Sequence, residues 1–218
     1  EKIRKDGYLY IDKTALIYQL VKTGSYYFLS RPRRFGKSLL LSTLEAYFQG
    51  KKELFEGLAM EKLEKEWTKH PILHFDLNIS HYDAPDSLYK ILNDTLSRYE
   101  EEYGTRPTEE TLPLRFAGII DRAYRKTGQR AVILIDEYDV PLENAYLEGF
   151  YDQMISFIRS LFESALKTNP YLEKGIITGC LRISKESIFT GTNNFVSDTI
   201  LSPRLSESFG FTQADVDQ

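Results

Sequence analysis

Short continuous apolar runs alternate along this chain with longer segments whose apolar residues recur at the spacing of an α-helix. The runs predict four strands, at residues 26–30, 71–77, 131–135 and 174–178. The third is continuous and rich in β-branched residues, which is typical of a strand that is covered on both faces of a sheet. The helical segments predict five helices, at residues 12–24, 38–50, 88–99, 114–124 and 150–166.

This alternation predicts an α/β fold with a mostly parallel, doubly wound sheet. Asp12 is placed to cap the first helix and Gly24 to end it. The predicted buried face of that helix consists of Ala15, Leu16, Leu20 and Val21. Residues 181–204 are polar and rich in glycine and asparagine, with the composition of a turn at residues 191–194. Ligands of parallel sheets bind at the carboxyl ends of the strands, which directs attention to segments 30–38, 76–82, 136–141 and 178–182.

Composition narrows the function classes further. The 218 residues are 42% hydrophobic with a net charge of −4, which fits one globular domain and excludes a uniformly basic surface. The single cysteine, Cys180, rules out an internal disulfide and is interpreted as a small core residue. The three histidines lack the spacing of a zinc site. No run reaches the ~18 apolar residues of a membrane span and no signal peptide is visible, so we expect a cytoplasmic protein without a membrane partner.

The stretch SRPRRFGKS, Ser30–Ser38, lies between a predicted strand and a predicted helix. It ends like the phosphate-binding pattern G-x-x-x-x-G-K-[ST], but Arg31 stands where that pattern has its first glycine. Gly36 would let the backbone approach an anion at the helix N-terminus, Lys37 would bind the β- and γ-phosphates, and Ser38 would ligate Mg²⁺. The alternative interpretation is a basic surface turn before a helix.

Two other strand ends carry candidate residues. The run 131–135 leads into Asp136 and Glu137, of which the first would hold the Mg²⁺ shell and the second would activate the attacking water. The alternative is a solvated acidic turn, and Asp139 would either cap the next helix or serve the outer shell of the metal. Thr178 ends the fourth strand, where it would hydrogen-bond the γ-phosphate or the water, or else be an ordinary β-branched strand residue.

Five parts of the chain together resemble the predicted AAA-ATPase-like family of bacterial and archaeal proteins. They are Tyr10–Thr14 (YIDKT), Ser30–Ser38, Ile135–Asp139 (IDEYD), Thr178–Gly179 with Leu181–Phe189, and Phe209–Thr212 (FGFT). The loop is also similar to the G-P-R-R-x-G-K-T loop of related archaeal ATPases, with Arg31 in place of the glycine. The resemblance implies a three-layer P-loop NTPase of the additional-strand type, with a parallel sheet in the order 5-1-4-3-2.

The resemblance implies ATP and Mg²⁺ as cofactors. Mg²⁺ would be held by Ser38 and Asp136, and catalysis would depend on Glu137 as the base and Lys37 on phosphate. Further nucleotide contacts would come from Arg33, Arg34, Phe35, Gly36, Leu39 and Thr178. In related ATPases the chain before the first helix approaches the adenine, so Asp12 is either a nucleotide contact or only a helix cap.

The resemblance also implies a division of the protein. Residues 1–212 would form the ATPase core, residues 213–218 would begin a helical lid, and a nuclease-like domain would follow beyond Gln218. The function expected is ATP binding and Mg²⁺-dependent hydrolysis that drives or gates a partner domain.

The alternative is a nucleotide-gated binding module with little hydrolysis and with nucleic acid or a protein as its partner. Arg31, Arg33, Arg34 and the Lys51–Lys52 pair would then offer phosphate contacts. For Arg31 itself we expect an ordinary negative φ, because Pro32 supplies the fixed turn.

Overall fold

A parallel β-sheet with helices on both faces is the framework of the computed structural model, which describes residues 1–78, 81–167, 169–180, 195–198 and 213. The strands are β1 (Tyr26–Ser30), β2 (Ile72–Asp76), β3 (Ala131–Asp136), β4 (Leu172–Gly179) and β5 (Phe195–Asp198). The first four confirm the predicted strands and the α/β fold. β5 lies in the polar segment 181–204, for which no strand was predicted, and it pairs with β1 in parallel.

The described helices surround this sheet and include all five that the sequence predicts. They are α1 (Lys2–Lys5), α2 (Thr14–Lys22), α3 (Lys37–Phe48), α4 (Ala59–Leu63), α5 (Ser87–Tyr103), α6 (Leu112–Thr127), α7 (Val140–Glu148) and α8 (Tyr151–Leu166), with a 3₁₀ helix at Lys52–Phe55. The sequence analysis did not anticipate α1, α4, α7 or the 3₁₀ helix. No helix in the described ranges is both long enough and apolar enough to cross a membrane.

The buried face of α2 differs from the predicted one. It consists of Thr14, Ile17, Leu20 and Val21, so Ala15 and Leu16 turn toward the edge of the interface. Thr14 is fully buried in this face, and its hydroxyl oxygen accepts a hydrogen bond from the Met60 N–H of α4 at 3.0 Å, which joins α2 to α4.

The strands pair in the order β2-β3-β4-β1-β5, so β4 lies between β1 and β3. Every one of these pairings is parallel. Ser30 at the end of β1 is opposite Gly179 at the end of β4, and Ile135 near the end of β3 is opposite Ile177. The carboxyl ends of β1, β4 and β3 therefore meet at one edge of the sheet.

The core lies in two layers, one on each face of the sheet. Alternate residues of β3 divide between them: Ile133 and Ile135 pack with α5, α6 and α8, whereas Val132 and Leu134 pack with α2 and α3. All six residues of β3 are buried, which explains the unbroken apolar run in the sequence. Burial of each large aliphatic side chain contributes about 1.5–3 kcal/mol, so the core holds β3 firmly on both faces.

The structure does not describe every predicted feature. Residues 181–189 and 209–212 of the resemblance lie outside the described residues, as does the predicted lid segment apart from Gln213.

Candidate functional site

The loop after β1 contains two residues in the left-handed conformation before α3, separated by Phe35. Gly36 is the N-cap of α3 and has a φ of 78°, and Arg34 has a φ of 67°. A positive φ costs glycine little but strains an arginine. The Leu40 N–H donates to the Gly36 carbonyl at 2.9 Å, which starts the helix. The free N–H groups of the first turn and the helix dipole make this position favourable for an anion.

Arg31, which replaces the first glycine of the pattern, belongs to the end of the strand rather than to the turn. Within the described residues only Arg34 and Glu137 are non-glycine residues with positive φ, so the expected ordinary φ at Arg31 is confirmed. Its backbone N–H donates to the Gly179 carbonyl at 3.1 Å, which continues the β1–β4 pairing. Its side chain is 3% exposed and donates to the Ser30 carbonyl at 2.9 Å. A glycine is unnecessary here because the chain stays extended.

Lys37, the first residue of α3, is buried at the junction of three strand ends. Its side chain is 3% exposed, and its Nζ lies 3.3 Å from Oε1 of Glu137. The same Nζ donates to the Pro32 carbonyl at 3.3 Å and to the Cys180 sulfur at 3.2 Å. The structure thus brings together the predicted lysine and the predicted base, which lie one hundred positions apart in the chain.

Asp136 and Thr178 are joined by a hydrogen bond between the ends of β3 and β4. The buried Thr178 hydroxyl donates to Oδ1 of Asp136, and the Glu137 N–H donates to the same oxygen at 3.1 Å. Glu137 has a φ of 51°, so the chain turns out of the strand at this residue. Both hydrogen bonds that described residues donate to the Asp136 carboxylate reach Oδ1, which leaves Oδ2 for a metal ion or its water. Carboxylate and hydroxyl oxygens suit Mg²⁺, so Asp136 fits the predicted role.

Cys180 is a component of this site that the sequence analysis missed by treating it as a core residue. Its thiol is half-buried, contacts Lys37 and lies 3.5 Å from Oε2 of Glu137. Its backbone N–H donates to Oδ2 of Asp139 at 2.8 Å, and its carbonyl accepts from the Ser30 hydroxyl at 3.2 Å. Burial raises the pKa of the Cys180 thiol, although Lys37 opposes this effect. The sequence feature that could have identified Cys180 as a site residue is its position at the end of a strand.

Asp139 is almost fully buried, at 1% exposed. It is the N-cap residue of α7, but its side chain makes no capping hydrogen bond there. The carboxylate instead accepts from the Cys180 N–H, so Asp139 fastens the segment after β3 to the end of β4.

Other predicted contacts lie on the exposed side of the loop. Arg33, Phe35, Ser38 and Leu39 are exposed to solvent. Arg33 forms an ion pair with Glu143 of α7 at 3.4 Å.

Asp12 connects two helices and does not join the cluster at Lys37. Its Oδ1 accepts from the Thr14 N–H at 2.9 Å, and its Oδ2 accepts from the Ala59 N–H at 2.8 Å. Both oxygens are therefore used at the starts of α2 and α4. This geometry favours the interpretation of Asp12 as a helix-capping residue, although the N-cap position of α2 is Lys13.

A shallow groove, open to solvent, runs along α3 next to the loop. Its walls include Leu39 and Thr43 of α3, Tyr10 from the preceding segment, and Leu54 and Leu58 from the connection to α4. Tyr10 is half-buried and its phenol pairs with the Thr43 side chain, and burial raises the pKa of Tyr10. Because Leu39 follows Ser38 directly, a ligand could extend from the loop into this mainly apolar groove.

Comparison with known proteins finds a matching family and a similar curated protein. The profile of a family described as Predicted AAA-ATPase matches residues 1–189, which include the loop, the end of β3 and the end of β4. A protein of Azotobacter chroococcum mcd 1, described as the uncharacterized protein in the vnfD 5' region, is 35% identical over 219 residues. The alignment covers 99% of this chain and 42% of that relative, so the chain spans less than half of the relative's length.

Proposed function

This chain belongs to the predicted AAA-ATPase family, and from that premise we propose that it binds ATP with Mg²⁺ and hydrolyses it. The observation that carries the proposal is the convergence of Lys37, Glu137 and the Thr178-bonded Asp136 at one edge of the sheet. A cation for phosphate, a carboxylate for a metal and a second carboxylate for water are the groups that phosphoryl transfer to water requires.

Each residue has a defined role in this proposal. The N–H groups at the start of α3 and the Lys37 ammonium bind the β- and γ-phosphates. Ser38 and Asp136 hold Mg²⁺, which when bound neutralises charge on the phosphate oxygens. Glu137 accepts a proton from water as the water oxygen bonds to the γ-phosphorus and the bond to the β-phosphate oxygen breaks. Thr178 keeps Asp136 oriented through the hydrogen bond to Oδ1.

The sheet order supports assignment to the additional-strand class of P-loop NTPases. Read from the β5 edge, the order is 5-1-4-3-2, with β4 inserted between the strand that leads into the loop and the strand that carries Asp136. The groove beside Leu39 is the proposed place for the base, with Tyr10 and Thr43 as its contacts. Arg33, Arg34 and Phe35 line the outer side of the loop in this proposal.

We further propose that the hydrolytic cycle drives or gates a partner domain. The helical lid and the nuclease-like domain remain predictions, since they would lie outside the described residues. The alternative of a binding module for nucleic acid loses part of its support. Arg31 is buried and Lys51 is paired with Glu1 at 3.2 Å, so the five basic residues do not form one exposed patch.

Calorimetry and phosphate release test the proposed function. Lys37→Ala should abolish ATP binding, whereas Lys52→Ala, at an exposed lysine outside the site, should bind like the parent. Glu137→Gln should retain ATP binding and lose about 10²–10⁴-fold in turnover. Hydrolysis by Glu137→Gln at the parent's rate would show that Glu137 is not the base. ATP binding with salt-dependent DNA binding and no hydrolysis by the parent would favour the binding module.

A further inference from the structure

Lys37 is enclosed by partners that compete with a phosphate for the same ammonium group. Its Nζ has a carboxylate oxygen at 3.3 Å, a carbonyl oxygen at 3.3 Å and a sulfur at 3.2 Å. The side chain is 3% exposed, so solvent screens the contact with Glu137 only weakly. An ammonium group has three N–H donors, and these three partners use all of them, so a phosphate that binds Lys37 has to replace at least one partner.

Cys180 holds a fixed position between the lysine and the base. Its backbone is fastened on one side to Asp139 and on the other to Ser30. The sulfur is therefore placed by two hydrogen bonds that involve neither Lys37 nor Glu137. From that position it lies 3.2 Å from Nζ of Lys37 and 3.5 Å from Oε2 of Glu137.

The protonation state of the thiol suits a bridge between the two residues. Burial raises the pKa of Cys180, so the group is a neutral S–H at neutral pH. A neutral thiol accepts a hydrogen bond from the ammonium of Lys37 and donates its own proton to the carboxylate of Glu137. A thiolate would attract the lysine but repel the glutamate.

We propose that Cys180 is a positioning residue that holds Lys37 and Glu137 together, so that phosphate binding must take Lys37 from both partners and thereby frees Glu137 to activate water. This inference rests on the proposed function and describes its regulation. Glu137 stays paired with Lys37 until a phosphate takes its place beside the ammonium group. Release of the base therefore depends on occupation of the loop.

Alkylation of the thiol tests the contact without any hydrolysis, because Cys180 is the single cysteine of the chain. The rate of modification by iodoacetamide is followed by mass spectrometry in the parent, in Lys37→Met and in the control Lys52→Met. Loss of the neighbouring cation should slow the Lys37→Met reaction by about 3–10-fold, because the reactive species is the thiolate. Lys52→Met should react at the parent's rate. An equal or faster reaction in Lys37→Met would overturn the proposal.

Addition of ADP or a non-hydrolysable ATP analogue, each with Mg²⁺, tests the coupling. If the nucleotide draws Lys37 away from Cys180, alkylation of the parent should slow toward the rate that Lys37→Met shows. Binding that calorimetry detects without a change in alkylation would overturn the coupling while leaving the proposed function intact. Absence of binding would instead refute the proposed function, and the ligand-free rates would still decide whether the three groups are in contact.

Substitution of Cys180 tests its effect on catalysis. Cys180→Ala should lower kcat by about 3–10-fold, because Glu137 loses the thiol donor that orients it. KM should be unchanged or lower, because Lys37 is released more easily. Cys180→Ser keeps a donor and an acceptor and should stay within about twofold of the parent. A kcat of Cys180→Ala equal to the parent's, or a serine variant as impaired as the alanine variant, would contradict the positioning role. If Cys180→Ala does not fold, the alkylation rates decide the question.

Discussion

Replacing Thr178 by valine would remove one hydroxyl and leave the shape of the side chain nearly unchanged. The hydroxyl donates to Oδ1 of Asp136, and the two residues are 0% and 5% exposed. A buried hydrogen bond to a charged group contributes about 1.5–3 kcal/mol, and we expect a loss of that size in the free energy of unfolding. For a chain of this length each 1 kcal/mol lowers Tm by about 2–4 °C, so Thr178→Val should melt about 3–12 °C below the parent.

Calorimetric melting of Thr178→Val, with Thr95→Val as the control, measures this loss. The Thr95 hydroxyl donates to the Ile91 carbonyl within α5, a neutral hydrogen bond, and its loss should cost about 1 kcal/mol or less. ATP turnover of Thr178→Val should fall more than ATP affinity, because Asp136 loses the contact that orients it. Equal melting temperatures for the parent and Thr178→Val would show that Thr178 is an ordinary β-branched strand residue.

Three further predictions concern the surroundings of the site. Gly179→Ala would place a Cβ 2.4 Å from the buried Tyr138 ring, and we expect it to lower the free energy of unfolding by about 1–3 kcal/mol in denaturant titration. Gly175→Ala, at 2.9 Å from the half-buried Tyr26 ring, should cost less, and a larger loss there would contradict the packing argument. The hydrogen bond that His74 Nδ1 makes to the Glu45 carboxylate raises the pKa of His74, so this pair stabilises the fold fully below about pH 6.5 and less as pH rises through the folded pKa. His74→Gln should therefore flatten the pH dependence of unfolding above about pH 6.5, and an unchanged slope would refute the assignment. Tyr10→Ala should weaken ATP binding but not tripolyphosphate binding in calorimetry, and equal losses for the two ligands would exclude base contact.

The core strands could be predicted because their burial leaves a direct trace in the sequence. β3 is covered on both faces, and its six positions contain no surface residue that would break the apolar run. β5 leaves no such trace in its four residues, Phe195–Asp198. It is a strand because it pairs with β1 over Tyr26–Leu29, and that long-range pairing has no local signal.

Only those parts of the site that form local sequence patterns at strand ends could be predicted. The motif at Ser30–Ser38 and the pair Asp136–Glu137 are local patterns, and both lie at the carboxyl edge as expected. The contact among Lys37, Glu137 and Cys180 depends on the pairing of β4 between β1 and β3. That pairing places the residue after β4 beside the start of α3, which no pattern around Cys180 reveals.

Two non-glycine residues of the described chain take the left-handed backbone conformation, and both lie at the candidate site. α6 and α7 end at Gly128 and Gly149, which take the left-handed conformation at 71° and 83° without a steric cost. The chain uses Arg34 and Glu137 in the same region of φ, although glycine would be less strained at both positions. A strained non-glycine residue persists where its side chain is needed. Glu137 contacts Lys37, and Arg34 lies in the loop that precedes Lys37. Both strained residues therefore lie at the site where we propose that ATP is hydrolysed.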